Sequence, residues 1–253
     1  MYKKLLFLFG VLFWCNMGVA RIDNAEASPW RLGVNIGYSG RTASMKGDLT
    51  SQQKSYIESG KQGIAFGGDV TYFFKNDIGI GLVYSQFRSS SSVGSMSEKY
   101  SADTTIFYSS MSDQYSITFI GPIFAIRKLS KNGKHAFLLN FGLGYLGYVD
   151  DGKAMLNYYT VRNTNNTVST YAFSQPKITA TQEGNTLGTL FLLGYDFKIT
   201  SHVAIGLQLS VVRGSLSKIE QIVGGKSTTI SLDSENREDL SRLDCSVGLR
   251  FFK

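Results

Sequence analysis

His135 and His202 are the only imidazoles in the 253-residue chain, and they bound its acid–base chemistry. Nucleophilic hydrolysis by a Ser–His or Asp–His arrangement needs an imidazole held beside the substrate, where it can move a proton. Both histidines border short Ser-, Asn- and Gly-rich turns and read as solvated turn residues. Metal chemistry finds little support either. Cys15 and Cys245 form no closely spaced pair, and no His-x-x-x-His or acidic calcium-loop pattern occurs. Asp150-Asp151-Gly152 and Asp233-Ser234-Glu235 read as solvated acidic turns. Gly142, Gly144 and Gly147 lack the strand-to-helix context of a phosphate-binding loop. No metal, cofactor or catalytic residue is assigned, and the chain is expected not to be an enzyme. The net charge of +7 is modest and dispersed, without the basic–aromatic array of a nucleic-acid binder.

The informative polar residues fall at alternate positions of otherwise apolar or Gly-rich segments: Arg31, Asn35, Asp69, Thr71, Asn140, Asp196, Lys198, Gln208, Asp244 and Arg250. If these positions share an interior, their opposite charges must pair, because an unpaired buried charge is costly. A salt-bridged plug is the preferred expectation, and a narrow water or ion pathway the alternative.

The elements that would position this set are strands. Charged residues make up 18% of the chain, below the roughly 25% of ordinary globular proteins. Hydrophobic content of 43% excludes a disordered chain. Residues 1–20 have the form of a secretory signal: Lys3 and Lys4, an apolar run, then Gly18-Val19-Ala20. Cleavage as late as residue 27, after Ala25-Glu26-Ala27, is the alternative. Loss of Lys3 and Lys4 would lower the net charge of +7 by two and leave Cys245 as the only cysteine.

Residues 28–253 are expected to form one all-β domain. Period-two alternation marks strands near 30–38, 64–74, 78–87, 114–128, 135–148, 186–199, 203–212 and 242–252. Three connections are tight turns; the others, at 39–63, 88–113, 149–185 and 213–241, are long and polar. The alternation of short turns with long loops fits an eight-stranded antiparallel up-and-down transmembrane barrel with periplasmic turns and extracellular loops. In the fifth strand Phe137, Leu139, Phe141, Leu143 and Tyr145 share one face, opposite Ala136, Leu138, Asn140, Gly142 and Gly144. Small residues suit the interior of a narrow barrel, so the bulky apolar face is expected to meet lipid. A soluble barrel would invert that orientation.

Aromatic residues fall into two groups along the strands. Trp30, Tyr72, Phe73, Phe74, Phe197, Phe251 and Phe252 lie near the short turns, and Tyr38, Tyr84, Phe87, Tyr145 and Tyr148 toward the long loops. Two belts are what interfacial anchoring requires; Trp30, Tyr72, Phe74, Tyr84, Tyr145, Phe197 and Phe251 are the anchors expected.

The leader, the eight alternating segments and the closing Val247-Gly248-Leu249-Arg250-Phe251-Phe252 resemble the small outer-membrane barrels of the OmpA and OmpX type. The resemblance implies outer-membrane lipids and lipopolysaccharide as surroundings and the barrel-assembly machinery as a partner during insertion. Lys253 departs from the aromatic terminus usual for that signal. A structural or surface-interaction role carried by the loops is the leading expectation, with an extracellular ligand or host surface as a possible contact. Ser89 to Ser97 reads as a flexible tip, and Lys46, Lys54, Lys61, Arg88, Lys99, Lys153 and Arg162 add positive charge on that side. The alternatives are a porin-like pathway, transport of small apolar molecules similar to the OmpW barrels, with Leu138, Leu190, Leu192 and Val212 lining a cavity, and last a lipid-modifying enzyme. Gly121-Pro122 is expected to introduce a bulge or register change. The aromatic-rich 149–185 segment is expected to project as a hairpin; two additional barrel strands would be the alternative.

Overall fold

The computed structural model describes residues 28–43, 51–75, 77–100, 104–164, 167–174 and 178–253. The signal reading at 1–20, and the later cleavage alternative, lie outside the described residues. In chain order the strands are β1 (Trp30–Arg41), β2 (Gln62–Lys75), β3 (Ile78–Tyr100), β4 (Thr104–Leu129), β5 (His135–Thr164), β6 (Thr167–Ser174), β7 (Ile178–Lys198), β8 (Val203–Arg213), β9 (Ser215–Leu216), β10 (Lys218–Val223), β11 (Lys226–Ser231), β12 (Glu238–Asp239) and β13 (Arg242–Phe252). Among the described residues one helix, α1 (Ser51–Lys61), precedes β2.

Eight strands close a ring in the order β1-β2-β3-β4-β5-β7-β8-β13, every pair antiparallel. The ring closes where β13 meets β1, from Arg31↔Phe252 to Arg41↔Arg242. β6 pairs with β5 alone and β10–β11 extend from the edge of β7, so neither widens the barrel. Gly224 and Gly225 turn the β10–β11 hairpin with φ of 57° and 79°, the left-handed geometry that two-residue hairpins need.

Successive strand residues point to opposite faces, and the pattern resolves into an apolar exterior and a mixed interior. Leu32, Val34, Ile36 and Tyr38 of β1, Phe137, Phe141, Leu143 and Tyr145 of β5, and Leu243, Val247, Leu249 and Phe251 of β13 are exposed outward. Arg31, Asp69, Asn140, Asp196, Asp244 and Arg250 are buried inward. A closed sheet has no edge to leave unpaired, which is the condition for crossing hydrocarbon with strands.

Four features differ from the sequence-based expectations. Pro122 causes no bulge: pairing runs Ile120↔Tyr145 and resumes at Ile123↔Gly142 in the same register, and Leu82↔Pro122 is in step with its neighbours. The missing N–H interrupts the β4–β5 ladder for two residues while Pro122 faces outward. Register shifts occur instead at Phe73/Lys75 and Val93/Met96. Second, Ser89 to Ser97 is no loop tip, because β3 and β4 continue as a paired ribbon to Tyr100↔Thr105. Third, α1 forms within the segment expected to be irregular; Tyr56 and Ile57 are its only large apolar residues and make no apolar stripe in the sequence. Fourth, Phe73, Phe87, Tyr148 and Phe252 point inward and are buried rather than joining the aromatic belts.

Candidate functional site

The interior has two levels. Near the short-turn end, inward positions of four strands bring together Arg31 of β1, Asp69 of β2, Asp196 of β7 and Arg250 of β13. Arg31 donates from Nη1 to Asp69 Oδ2, and from Nε to Asp196 Oδ2 at 2.8 Å. The other oxygen of Asp196 lies 3.2 Å from Arg250 Nε. Arg250 also donates to Gln208 Oε1 at 3.2 Å and to the backbone oxygens of Val34 and Leu249. Two guanidinium groups and two carboxylates thus form a closed, formally neutral group sealed from solvent. Low dielectric strengthens these contacts and makes the loss of any one partner expensive.

Glycine makes the space. A Cβ at Gly33 would stand 2.5 Å from Asp69 Oδ1, and one at Gly206 would stand 2.6 Å from Asp196 Oδ1 and 2.7 Å from Arg250 Cζ. Below this group Arg127 lies over the Phe73 ring at 3.9 Å and donates to Ser28 O at 3.2 Å.

Toward the long-loop end the lumen is apolar. Phe87, Ile117, Phe119, Ile123, Leu146, Leu190, Leu192, Val212, Leu216 and Leu240 pack into one buried cluster. Leu216 and Leu240 come from the segment after β8, which folds back over the barrel. Beside this cluster Arg242 bonds Ile117 O at 2.7 Å, Ser85 Oγ at 2.8 Å and Asp244 Oδ2 at 3.3 Å, and Asp244 accepts from Ser39 and Ser210. A small cavity of ≈20 Å³, bordered by Asn35, Gln208, Ser210, Asp244 and Ser246 among others, has room for about one water.

Above the apolar belt, inward residues of the extended strands and α1 form a tyrosine–carboxylate cluster. Tyr56 of α1 and Tyr115 of β4 both donate to Asp113 Oδ2, the latter at 3.2 Å. Tyr148 donates to Asp150 Oδ2 at 3.5 Å, while Asp150 Oδ1 is buried without a hydrogen-bond partner. Burial, reinforced by the nearby Asp113 charge, pushes the Asp150 carboxyl up to about 7. Burial and the bond to Asp113 push the Tyr56 phenol up to about 12. Arg41 pairs with Glu238 and lies 5.9 Å from the Tyr115 ring, tying β1 and β12 to the same cluster.

The polar residues singled out in the sequence therefore occupy different places. Arg31, Asp69, Asp196 and Arg250 form one group; Asp244 belongs to the upper network around Arg242. Thr71 and Asn140 are buried in the lumen, and Asn35 and Gln208 border the small cavity. Lys198 does not join them: it is partly exposed at the short-turn end, its ammonium 5.0 Å from the Phe252 ring. The lumen also holds Arg242, Arg127, Ser39 and Ser210, which the sequence pattern does not single out. The inward parity of Arg242 with Asp244 was readable, whereas Pro122 obscured that of Arg127. Trp30, Tyr72, Phe74, Tyr84, Tyr145, Phe197 and Phe251 are all exposed on the outer surface. Trp30 and Tyr72 pack ring against ring at 4.9 Å. His135 Nδ1 lies 2.7 Å from Tyr195 Oη, and His202 Nδ1 lies 2.8 Å from Ser201 Oγ, both at the short-turn end.

The closed ring, short turns at one end, extended hairpins at the other and continuous apolar exterior define a transmembrane β-barrel of the outer-membrane type. Solved structures to which the chain is similar include the Neisserial surface protein NspA (11% identity, 89% of this chain and 98% of that one, TM-score 0.38). Another is OprG from Pseudomonas aeruginosa (10% identity, 91% and 100%, TM-score 0.46). A third is Ail of Yersinia pestis, solved with the heparin analogue sucrose octasulfate (14% identity, 88% and 99%, TM-score 0.34). At these identities the likeness is one of fold alone. No family model and no curated protein matches the sequence.

Proposed function

We propose that the protein is exported by the leader at 1–20, inserted by the barrel-assembly machinery, and resides in the outer membrane as a non-catalytic barrel. Its role is structural or surface-interacting, carried by the projecting hairpins and the helix-capped mouth. The observation that carries this reading is the filled lumen. Ionic groups close the lower half, an apolar cluster closes the upper half, and α1 and the Leu216–Leu240 segment cover the long-loop end. With the interior occupied, interaction falls to the outer surfaces, where lipopolysaccharide and extracellular or host surfaces are the partners this reading implies. Both histidines lie at the end opposite the hairpins, away from outer-leaflet substrates, which weighs against lipid hydrolysis.

Planar-bilayer recording tests the reading. The purified barrel is expected to give no stable single-channel steps. Reproducible steps abolished by Asp69→Ala would replace the plug with a conducting pathway.

A further inference from the structure

The barrel wall parts between β7 and β8. β7 pairs with β8 only as far as Thr189↔Arg213, and with β10 from Glu183↔Glu220 onward. Residues 184–188 of β7 lie between these two ladders, where the chain after Arg213 turns away to pair Ser215 with Asp239 and Leu216 with Glu238. The parting opens an outward groove of ≈470 Å³ lined by Thr186, Leu187, Thr189, Arg213, Gly214, Ser215, Ser217 and Arg237. It does not continue inward. A Cβ at Gly188 would meet Leu146 at 3.0 Å, and one at Gly184 would meet Leu216 at 2.7 Å, so buried apolar side chains close its floor.

Its chemistry is amphipathic in one direction. The lining contains two guanidinium groups, four hydroxyls and no carboxylate. Leu187 is 73% exposed, the highest value among the described large apolar side chains, and pairs across the strand with exposed Tyr145. Outward Leu143 follows one step lower on β5. The groove therefore straddles the upper edge of the apolar belt, with cationic and hydroxyl groups placed beside a greasy wall. Guanidinium groups bind phosphate oxygens through paired, charge-assisted hydrogen bonds, and hydroxyls take the remaining oxygens. Acyl chains of the same molecule would lie along Leu187 and Leu143, in the hydrocarbon that already surrounds the barrel.

We propose that this parting of β7 from β8 is a binding site for the phosphorylated headgroup of an outer-leaflet lipid, with Arg213 and Arg237 as its phosphate ligands. The proposal rests on the outer-membrane reading and deepens it by naming a lipid class and a place on the wall. The test uses full-length barrel in detergent, diphosphorylated lipid A and its dephosphorylated counterpart as probes, and native mass spectrometry for retention. Wild type is expected to retain the phosphorylated form at least about tenfold better, and Arg213→Gln with Arg237→Gln to lose that preference. Millimolar inorganic phosphate is expected not to displace the lipid. Equal retention of the two lipids, an unchanged preference in the double variant, or displacement by free phosphate would each overturn the proposal. Heat-modifiable gel migration, measured on every sample, separates the two levels: its absence in wild type sinks the barrel reading, whereas its presence with any of those three results sinks the site alone.

Discussion

Arg31 and Asp196, 165 residues apart in sequence, meet across the lumen with Nε donating to Oδ2 at 2.8 Å. Asp196 is at the same time the counterion of Arg250, so one carboxylate from β7 serves guanidinium groups from both strands that close the ring. The barrel is fastened at its seam by charge as well as by the β1–β13 ladder.

Asp196→Asn should therefore cost more than an ordinary polar substitution. It would leave Arg31 with Asp69 alone and remove the carboxylate that faces Arg250, and breaking a buried pair by removing one partner costs about 3–5 kcal/mol. Lys198→Met, two residues along β7 and partly exposed, is the control and should change little. The temperature at which the detergent-gel band shifts from folded to unfolded migration reports both. Equal shifts for the two variants would show that the ion group does not fasten the seam.

The same group predicts an inversion of normal strand propensity. Valine ordinarily favours a strand over glycine, yet Gly206→Val would drive its side chain into Asp196 Oδ1 and Arg250 Cζ, where a Cβ alone already stands within 2.7 Å. Overpacking of this kind costs about 1–3 kcal/mol. Gly40→Val on β1 meets nothing within 4 Å of its Cβ and should be neutral or stabilising. Lower heat-shift temperature for the first variant alone is the expected result; parity between them would mean that the ion group yields without cost.

How much of this was legible can be traced residue by residue. Alternation placed Arg31, Asp69, Asp196 and Arg250 on inward faces, because period two is a local property of each strand. Which acid met which base was not legible, since the pairings depend on the shear of the closed ring, and Asp244 pairs with Arg242 on its own strand instead of entering the quartet. Small residues were expected to fill the axis, but glycines there serve as clearance for long arginines and for Phe73, Leu146 and Leu216 from neighbouring strands. The helix α1 left no periodic trace: it is held by Tyr56 on Asp113 and by Ser89 donating to Gly60 O at 2.6 Å, contacts to strands distant in sequence. The groove at Arg213 was equally hidden, because a parting between strands is a property of pairing and not of either strand.

The mouth should respond to pH through Asp150. An unfolded chain releases that proton near the ordinary value of 3.8, the folded one at about 7. Between these values the folded state binds the extra proton, so stability falls as pH rises through the window and levels off above it. Carboxyl carbon NMR should show Asp150 titrating near neutrality. The urea midpoint of the detergent-solubilised barrel should drop between pH 5 and pH 8, and Asp150→Asn should flatten that dependence. An identical pH slope in the variant would assign the effect to another group.

The outward orientation of the apolar face makes the last prediction, and it depends on depth. Val34 lies midway along the exposed row of β1, between Trp30 at the short-turn end and Tyr38 toward the long loops. An arginine there must hold its charge near the middle of the hydrocarbon, a cost of about 2–4 kcal/mol in barrels of this kind that falls to roughly 0–1 near the interfaces. Tyr38→Arg, two positions higher on the same face, can extend its guanidinium into the headgroup layer and should be tolerated far better. Refolding midpoints in phospholipid vesicles measure the difference directly. In a soluble barrel with this same outer surface neither arginine would meet hydrocarbon, and the two variants would behave alike; a Val34→Arg protein as stable as Tyr38→Arg would therefore remove the membrane from the account of this fold.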